Sequence, residues 1–121
     1  MCGIVGIINS ENVAEEIFLG LLNLQHRGQS SSGILTYDGN FFMHKGSGLV
    51  DSLFNEEVIE KLPGQIGLGH TRYPTMGASR ETQPFYVPYP YGIAMVHNGN
   101  LINYQVLKEY LHKERHHLLI R

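Results

Sequence analysis

Met1-Cys2-Gly3-Ile4-Val5-Gly6-Ile7-Ile8, the stretch that opens the chain, contains the first element of the fold. Residues 3–8 are apolar, β-branched or glycine, and the turn signal Asn9-Ser10 follows them, so they are predicted to form a short buried strand. The chain therefore starts inside a sheet. Its only cysteine stands directly before that strand.

Two amphipathic helices are predicted from apolar residues at helical spacing. The first follows Asn12, which with Glu15 three residues later resembles a capping box, and it continues until Gly28 stops it. Its apolar positions are Val13, Ile17, Leu21 and Leu24. The second is capped by Asn103 and carries Val106, Leu107, Tyr110 and Leu111. A weak helical pattern is also predicted over residues 53–62.

Further strands are predicted on either side of turn signals. Asp38-Gly39-Asn40 separates residues 34–37 from residues 41–45, which is typical of a hairpin. Residues 65–71 and 91–96 are also predicted to be strands. The order β, α, β, β, then β, β, α indicates helices layered on an antiparallel sheet.

Composition limits the class of protein. With 121 residues, of which 42% are hydrophobic, the chain suits one small domain and excludes two full ones. A formal net charge of -2 without a large basic cluster argues against a nucleic-acid partner. The longest apolar run is too short to span a membrane and lacks a signal peptide's basic region, so we expect a cytoplasmic protein.

The segment from Thr82 to Leu107 contains no acidic or basic side chain except for histidine. Pro84, Pro88 and Pro90 exclude a long helix in it. Such an uncharged, turn-rich segment suits the wall of a buried pocket, and a covered surface loop is an equally good interpretation.

Cys2 is a candidate nucleophile. Its small side chain favours removal of Met1, after which a thiol and a free α-amine would share one Cα. The amine could then accept the thiol proton at neutral pH. The alternative is that Cys2 is a buried, inert thiol in an apolar strand.

Asn98-Gly99 and Arg72 could complete such a site. An asparagine amide and a glycine N–H can stabilise a developing oxyanion, although Asn-Gly is also a common hairpin turn. The Arg72 guanidinium, at the end of a predicted strand, could bind a substrate carboxylate, or it could be a surface salt-bridge partner.

Five motifs together resemble the class II glutamine amidotransferases, in the same order along the chain, up to about Leu111. They are residues 1–6 (MCGIVG), 24–33 (LQHRGQSSSG), 70–75 (HTRYPT), 83–85 (QPF) and 97–101 (HNGNL). Gln29 and Tyr73-Pro74 favour the amidophosphoribosyltransferase branch over the glucosamine-6-phosphate synthases, which usually show Tyr-Asp and Trp-Ala at those places.

The resemblance implies a catalytic role for three residues. Cys2 would attack the glutamine side-chain amide to give a glutamyl thioester and ammonia, and Asn98 with Gly99 would form the oxyanion hole. The ammonia would serve 5-phosphoribosylamine formation in de novo purine synthesis.

The resemblance also implies a set of substrate-binding residues. Arg72 matches the residue that holds the α-carboxylate of L-glutamine, and Thr75 lies in the same loop. Arg27 and Gly28 match the segment that lines the nucleophile.

The fold implied is of the α+β class, an N-terminal-nucleophile (Ntn) hydrolase type αββα sandwich, here truncated. Residues 1–121 would be a partial class II domain, and the family's amine-binding Asp motif and phosphoribosyltransferase domain are absent from the sequence. We therefore expect no cofactor on this chain, since magnesium and any iron–sulfur cluster belong to the missing region. Expected partners besides glutamine are a phosphoribosyltransferase chain or a second copy through self-association.

Two further interpretations stay open. The chain could be a truncated, inactive fragment or interaction module, with an exposed sheet edge that favours pairing. A metal site is the other, since His112 and His116 lie one helical turn apart, with His117 beside them. No acidic or thiol ligand is in register with them.

Overall fold

A four-stranded antiparallel sheet organises the part of the chain described by the computed structural model, residues 1–73 and 81–113. Its strands are β1 (Gly3–Ile8), β2 (Ser31–Tyr37), β3 (Phe41–Ser47) and β4 (Ile66–Arg72), in the order β1-β4-β2-β3. Gly3 lies opposite Thr71 on one side of β4, and Ser32 lies opposite Thr71 on the other. The last residues of β4 are therefore flanked by two strands.

Helix α1 (Val13–Leu24) packs on one face of this sheet. Ile17 and Leu21 are completely buried between the helix and the strands. The helix comes very close to β4 because Gly67 and Gly69 present no side chain: a Cβ on Gly67 would lie 2.6 Å from Ile17 Cδ1, and one on Gly69 would overlap Ile17 Cγ2. Two glycines thus set the distance between helix and sheet.

Two short helices, α2 (Val50–Leu53) and α3 (Glu56–Glu60), complete the core. Asn55 caps α3, its side-chain oxygen accepting a hydrogen bond of 2.9 Å from Val58 N. The buried apolar cluster consists of Val13, Ala14, Ile17, Leu21, Ile34, Val50, Phe54 and Leu62. This core lies on the α1 side of the sheet.

A second, two-stranded antiparallel sheet, β5 (Phe85–Val87) with β6 (Ile93–Met95), covers part of the other face. The Tyr86 ring contacts the Phe41 ring of β3 with centroids 4.8 Å apart. Helix α4 (Tyr104–Lys113) follows, and its apolar positions Val106 and Tyr110 are 67% and 61% exposed. The first sheet therefore has helices on one side and a small sheet on the other.

Most predicted elements are confirmed, including the hairpin and both amphipathic helices. The capping box is wrong: the Asn12 side chain makes no cap hydrogen bond, and Ser10 Oγ instead donates to Glu16 (2.6 Å) and accepts from Asn12 N (3.2 Å). Helix α1 also ends at Leu24, and a 3-10 turn over Gln25–Arg27 leads to Gly28.

Other differences are smaller. The weak helix predicted over residues 53–62 is divided between the last residue of α2 and α3, and the strand predicted over residues 91–96 is confined to β6. Strand β5 was not predicted as a separate strand. Within the described ranges, no helix has the length and apolar character needed to cross a bilayer.

Substituting Gly69 tests the close approach of α1. We expect Gly69→Ala to lower the free energy of unfolding by about 1 to 3 kcal/mol, because the new methyl group overlaps the buried Ile17. Gly6→Ala is the matched control, since a Cβ there meets only Leu68 at 3.6 Å. Urea unfolding of both variants measures the difference. Equal midpoints for the two variants would contradict this account of the packing.

Candidate active site

Cys2 lies where β1 begins, beside the end of β4. The pairing of Gly3 with Thr71 places the preceding cysteine beside the residues that follow β4. Tyr73 N donates to Cys2 Sγ (3.5 Å), and the thiol lies 3.9 Å from the Tyr73 carbonyl oxygen. Cys2 is half-buried, so it does not lie in the apolar core as the alternative interpretation expects.

Asn98 is brought to Cys2 from the segment between β6 and α4. Its side-chain Nδ2 donates to the Cys2 carbonyl oxygen at 3.2 Å, and its Oδ1 lies 3.0 Å from His70 Nε2. Gly99 has a φ of 141°, which side-chain-bearing residues rarely adopt. Asn98 and Gly99 lie in the connection from β6 to α4, so they do not form the two-residue turn of a hairpin.

Gln83 fixes the backbone just before Asn98. Its Oε1 accepts from His97 N at 2.7 Å, and its Nε2 donates to the His97 carbonyl at 3.0 Å. Lys45 in turn donates to the carbonyl oxygens of Thr82 (3.1 Å) and Pro84 (2.8 Å). Side-chain hydrogen bonds thus connect β3 to the segment that carries Asn98.

Arg72, the last residue of β4, projects its guanidinium towards the start of the second sheet. One Nη1–H donates to the Glu81 carbonyl oxygen. A guanidinium has five N–H donors, and within the part of the chain that the structure describes this is the side-chain hydrogen bond seen for Arg72. Among residues 1–73 and 81–113, the ion pair present joins Lys61 to Glu57, so the surface salt-bridge interpretation of Arg72 has no support there.

The segment after α1 packs against the backbone of Arg72. A Cβ on Gly28 would lie 2.7 Å from Arg72 N and C, so only glycine fits. Ser30 Oγ and Ser30 N both donate to the Arg72 carbonyl, at 2.7 and 3.0 Å. Arg27 Nη2 lies 3.8 Å from Met1 Sδ. Arg27 therefore borders the N-terminus, and Gly28 borders the end of β4.

His70 is a completely buried imidazole directly beneath this site. Burial lowers its pKa; the hydrogen bond with Asn98 acts in the opposite direction, and the Arg72 charge lowers the pKa further. The lowered pKa favours the neutral form of the ring. Within the described residues, its Nδ1 has no hydrogen-bond partner.

The structure joins Asn98 to Cys2 by a hydrogen bond, Gly99 follows Asn98 in the chain, and the pairing of β1 with β4 places the backbone of Arg72 beside Cys2. Arg27 and Gly28 lie next to Met1 and to the Arg72 backbone. Thr75 lies outside the described residues. His112 lies in the last turn of α4, His116 and His117 are outside the described part, and no group of three metal-binding side chains occurs within it.

The sequence analysis gave no role to Gln83 or Lys45, and it included His70 only as part of a quoted motif. Gln83 and His70 stand inside the quoted motifs, which was the available signal. Their partners are 14 and 28 residues away, so no local pattern identifies them.

Comparison with known proteins identifies relatives over almost the whole chain. This chain is 51% identical over 117 residues to amidophosphoribosyltransferase from Haemophilus influenzae. The matched region covers 93% of this chain and 23% of that protein. Amidophosphoribosyltransferase from Escherichia coli K12 is 48% identical to this chain over 119 residues, which are 95% of this chain and 24% of that protein. No family model matches the sequence.

A solved structure agrees with these relatives. Glutamine phosphoribosylpyrophosphate (PRPP) amidotransferase from B. subtilis, complexed with ADP and GMP, superimposes with a TM-score of 0.81 at 34% identity, over 94% of this chain and 25% of that one. The chain spans about a quarter of the length of the proteins it matches. It therefore belongs to the amidophosphoribosyltransferase family and corresponds to the N-terminal quarter of its members.

Proposed function

We propose that this chain forms the glutaminase part of an amidophosphoribosyltransferase, releasing ammonia from L-glutamine for 5-phosphoribosylamine formation in purine synthesis. The observation that carries the proposal is the hydrogen bond from Asn98 Nδ2 to the Cys2 backbone carbonyl, which brings an amide side chain to the residue that bears the thiol, 96 residues away in sequence.

The nucleophile is Cys2 after removal of Met1, whose side chain is 78% exposed and open to processing. The freed α-amine takes the thiol proton while Sγ attacks the amide carbon of glutamine. Collapse of the tetrahedral intermediate breaks the C–N bond, and the proton leaves with the nitrogen as ammonia. Water then hydrolyses the γ-glutamyl thioester to glutamate and restores the thiol.

The oxyanion of that intermediate is stabilised by Asn98 and Gly99. The amide nitrogen of Asn98 carries two hydrogens, so one can remain on the Cys2 carbonyl while the other serves the ligand. The Gly99 N–H is the second donor. Each such donor is worth about 10²- to 10³-fold in kcat.

Glutamine is held by the residues that surround the thiol. Arg72 binds the α-carboxylate through the planar fork of its guanidinium, which suits two parallel hydrogen bonds. Arg27 and Gly28 line the nucleophile, and Thr75 belongs to the same loop as Arg72. A carboxylate for the α-amino group is expected from the rest of the family's length.

The sandwich architecture is part of this proposal. An Ntn hydrolase type αββα fold is supported by α1 beneath the first sheet, the second sheet above it, and α4 following β6. Phosphoribosyl transfer, with its magnesium and any iron–sulfur cluster, would require the remaining length of the family. Because the proposed substrates are metabolites, we place the reaction in the cytoplasm.

An interaction module is the second candidate function, and exposed apolar side chains favour it. Those of Ile8, Ile93 and Met95, on β1 and β6, are 69%, 55% and 52% exposed, and a phosphoribosyltransferase chain or a second copy could cover them. This function would need no reactive Cys2.

Covalent labelling distinguishes the two functions. With an electrophilic ketone analogue of glutamine, we expect intact mass to show loss of Met1 and one adduct, with glutamine slowing its formation. Cys2→Ala should abolish the adduct, because the thiol is the attacking group. A processed chain that forms no adduct, or an adduct that persists in Cys2→Ala, would contradict the glutaminase proposal.

Removing the Gln83 hydrogen bonds should impair catalysis more than binding. We expect Gln83→Ala to lower kcat for glutamine hydrolysis about 10-fold or more with little change in KM, since two hydrogen bonds of about 1 kcal/mol each hold the backbone before Asn98. Gln105→Ala, at an exposed position of α4, is the control. A rise in KM alone would place Gln83 in glutamine binding instead.

A further inference from the structure

Asn98 makes two hydrogen bonds that together fix the orientation of its amide. The Cys2 carbonyl can only accept, so the amide nitrogen must face it across the 3.2 Å contact. The amide oxygen must then face His70, 3.0 Å away. Because that oxygen can also only accept, His70 must carry its hydrogen on Nε2.

We infer that His70 is a positioning residue, whose Nε2–H holds the Asn98 amide with its NH₂ group towards Cys2. The inference rests on the proposed glutaminase function. His70 does not touch the reacting atoms; it acts through Asn98, which supplies the oxyanion donor.

The orientation matters because the two ends of the amide have opposite effects on an oxyanion. In the reversed orientation, Asn98 Oδ1 would face the Cys2 carbonyl oxygen with no hydrogen between them, and the same lone pairs would repel the developing negative charge. The amide nitrogen would then donate to His70, and the oxyanion would lose a donor.

The surroundings of His70 suit a fixed donor. The ring lies on β4 between Ile4 of β1 and Gly33 of β2, and it is completely buried. Its Nδ1 has no partner within the described residues, so no competing hydrogen bond there favours the other tautomer. Arg72, two residues along β4, adds a positive charge that opposes protonation of the ring.

The kinetic test compares His70→Gln with His70→Leu in the Met1-processed chain. Gln keeps an N–H donor near the position of Nε2, whereas Leu fills the space without one. We expect His70→Leu to lower kcat for glutamine hydrolysis about 10²-fold at nearly unchanged KM, and His70→Gln to restore most of the loss. The ratio of wild-type to His70→Leu rates should be constant with pH, because a positioning group transfers no proton.

A double-mutant cycle tests whether His70 acts through Asn98. If it does, His70→Leu combined with Asn98→Ala should be no slower than Asn98→Ala alone. Urea unfolding of each variant separates loss of rate from loss of fold. Additive effects in folded variants, wild-type kcat in His70→Leu, or His70→Gln as slow as His70→Leu would overturn the inference.

The tautomer can be measured without any activity. Long-range ¹H–¹⁵N spectra of the wild-type chain should show His70 protonated on Nε2, and the Nδ1-protonated form would overturn the inference. A wild-type chain that neither hydrolyses glutamine nor reacts with the ketone analogue contradicts the proposed function instead. In that case the tautomer alone decides whether His70 orients Asn98.

Discussion

The antiparallel pairing of β1 with β4 is the constraint on which the rest of the structure depends. It places Gly3 opposite Thr71, and therefore brings Cys2 beside Arg72 and Tyr73 although about 70 residues separate them in sequence. Helix α1 packs against this pair of strands. Its buried Ile17 and Leu21 contact β4 only because Gly67 and Gly69 on β4 have no side chains. The position of the thiol is thus a consequence of apolar packing.

The other half of the site is held by different forces. Among the residues that the structure describes, the segment with Asn98 and Gly99 does not contribute to the buried apolar cluster, and it is fixed by hydrogen bonds with Gln83, His70 and the Cys2 carbonyl. Each such bond contributes about 1 kcal/mol, and the bonds act over a short distance. The half that carries Cys2 is therefore fixed by burial, whereas the half that carries Asn98 and Gly99 is fixed by polar geometry and is the more sensitive to single substitutions.

The sequence alone predicted the secondary-structure elements that are determined by residues close together in the chain. Strand β1, helix α1 and the hairpin at residues 38–40 follow from periodicity and turn chemistry. Asn98, Gly99 and Arg72 were identified as candidates from the chemistry of their side chains, and their assigned roles remain predictions. The capping box failed because Ser10, outside the motif, takes over the side-chain hydrogen bonds at the start of α1. The role of Gln83 could not be predicted, because it depends on a backbone partner that only the folded chain brings near.

Lys45 shows how the apolar and polar halves are joined. It lies on β3 within the first sheet, and its ammonium group donates to the carbonyls on either side of Gln83. Burial lowers its pKa, so the two carbonyls compensate part of the solvation that the ammonium loses. Gly33 on the neighbouring strand lets this segment approach, since a Cβ there would lie 2.7 Å from Lys45 Cβ and would overlap the Gln83 carbonyl. Strand β3 thereby anchors the segment with Gln83, Gln83 anchors His97, and the position of the first sheet determines that of the Asn98 amide, which contacts the Cys2 carbonyl.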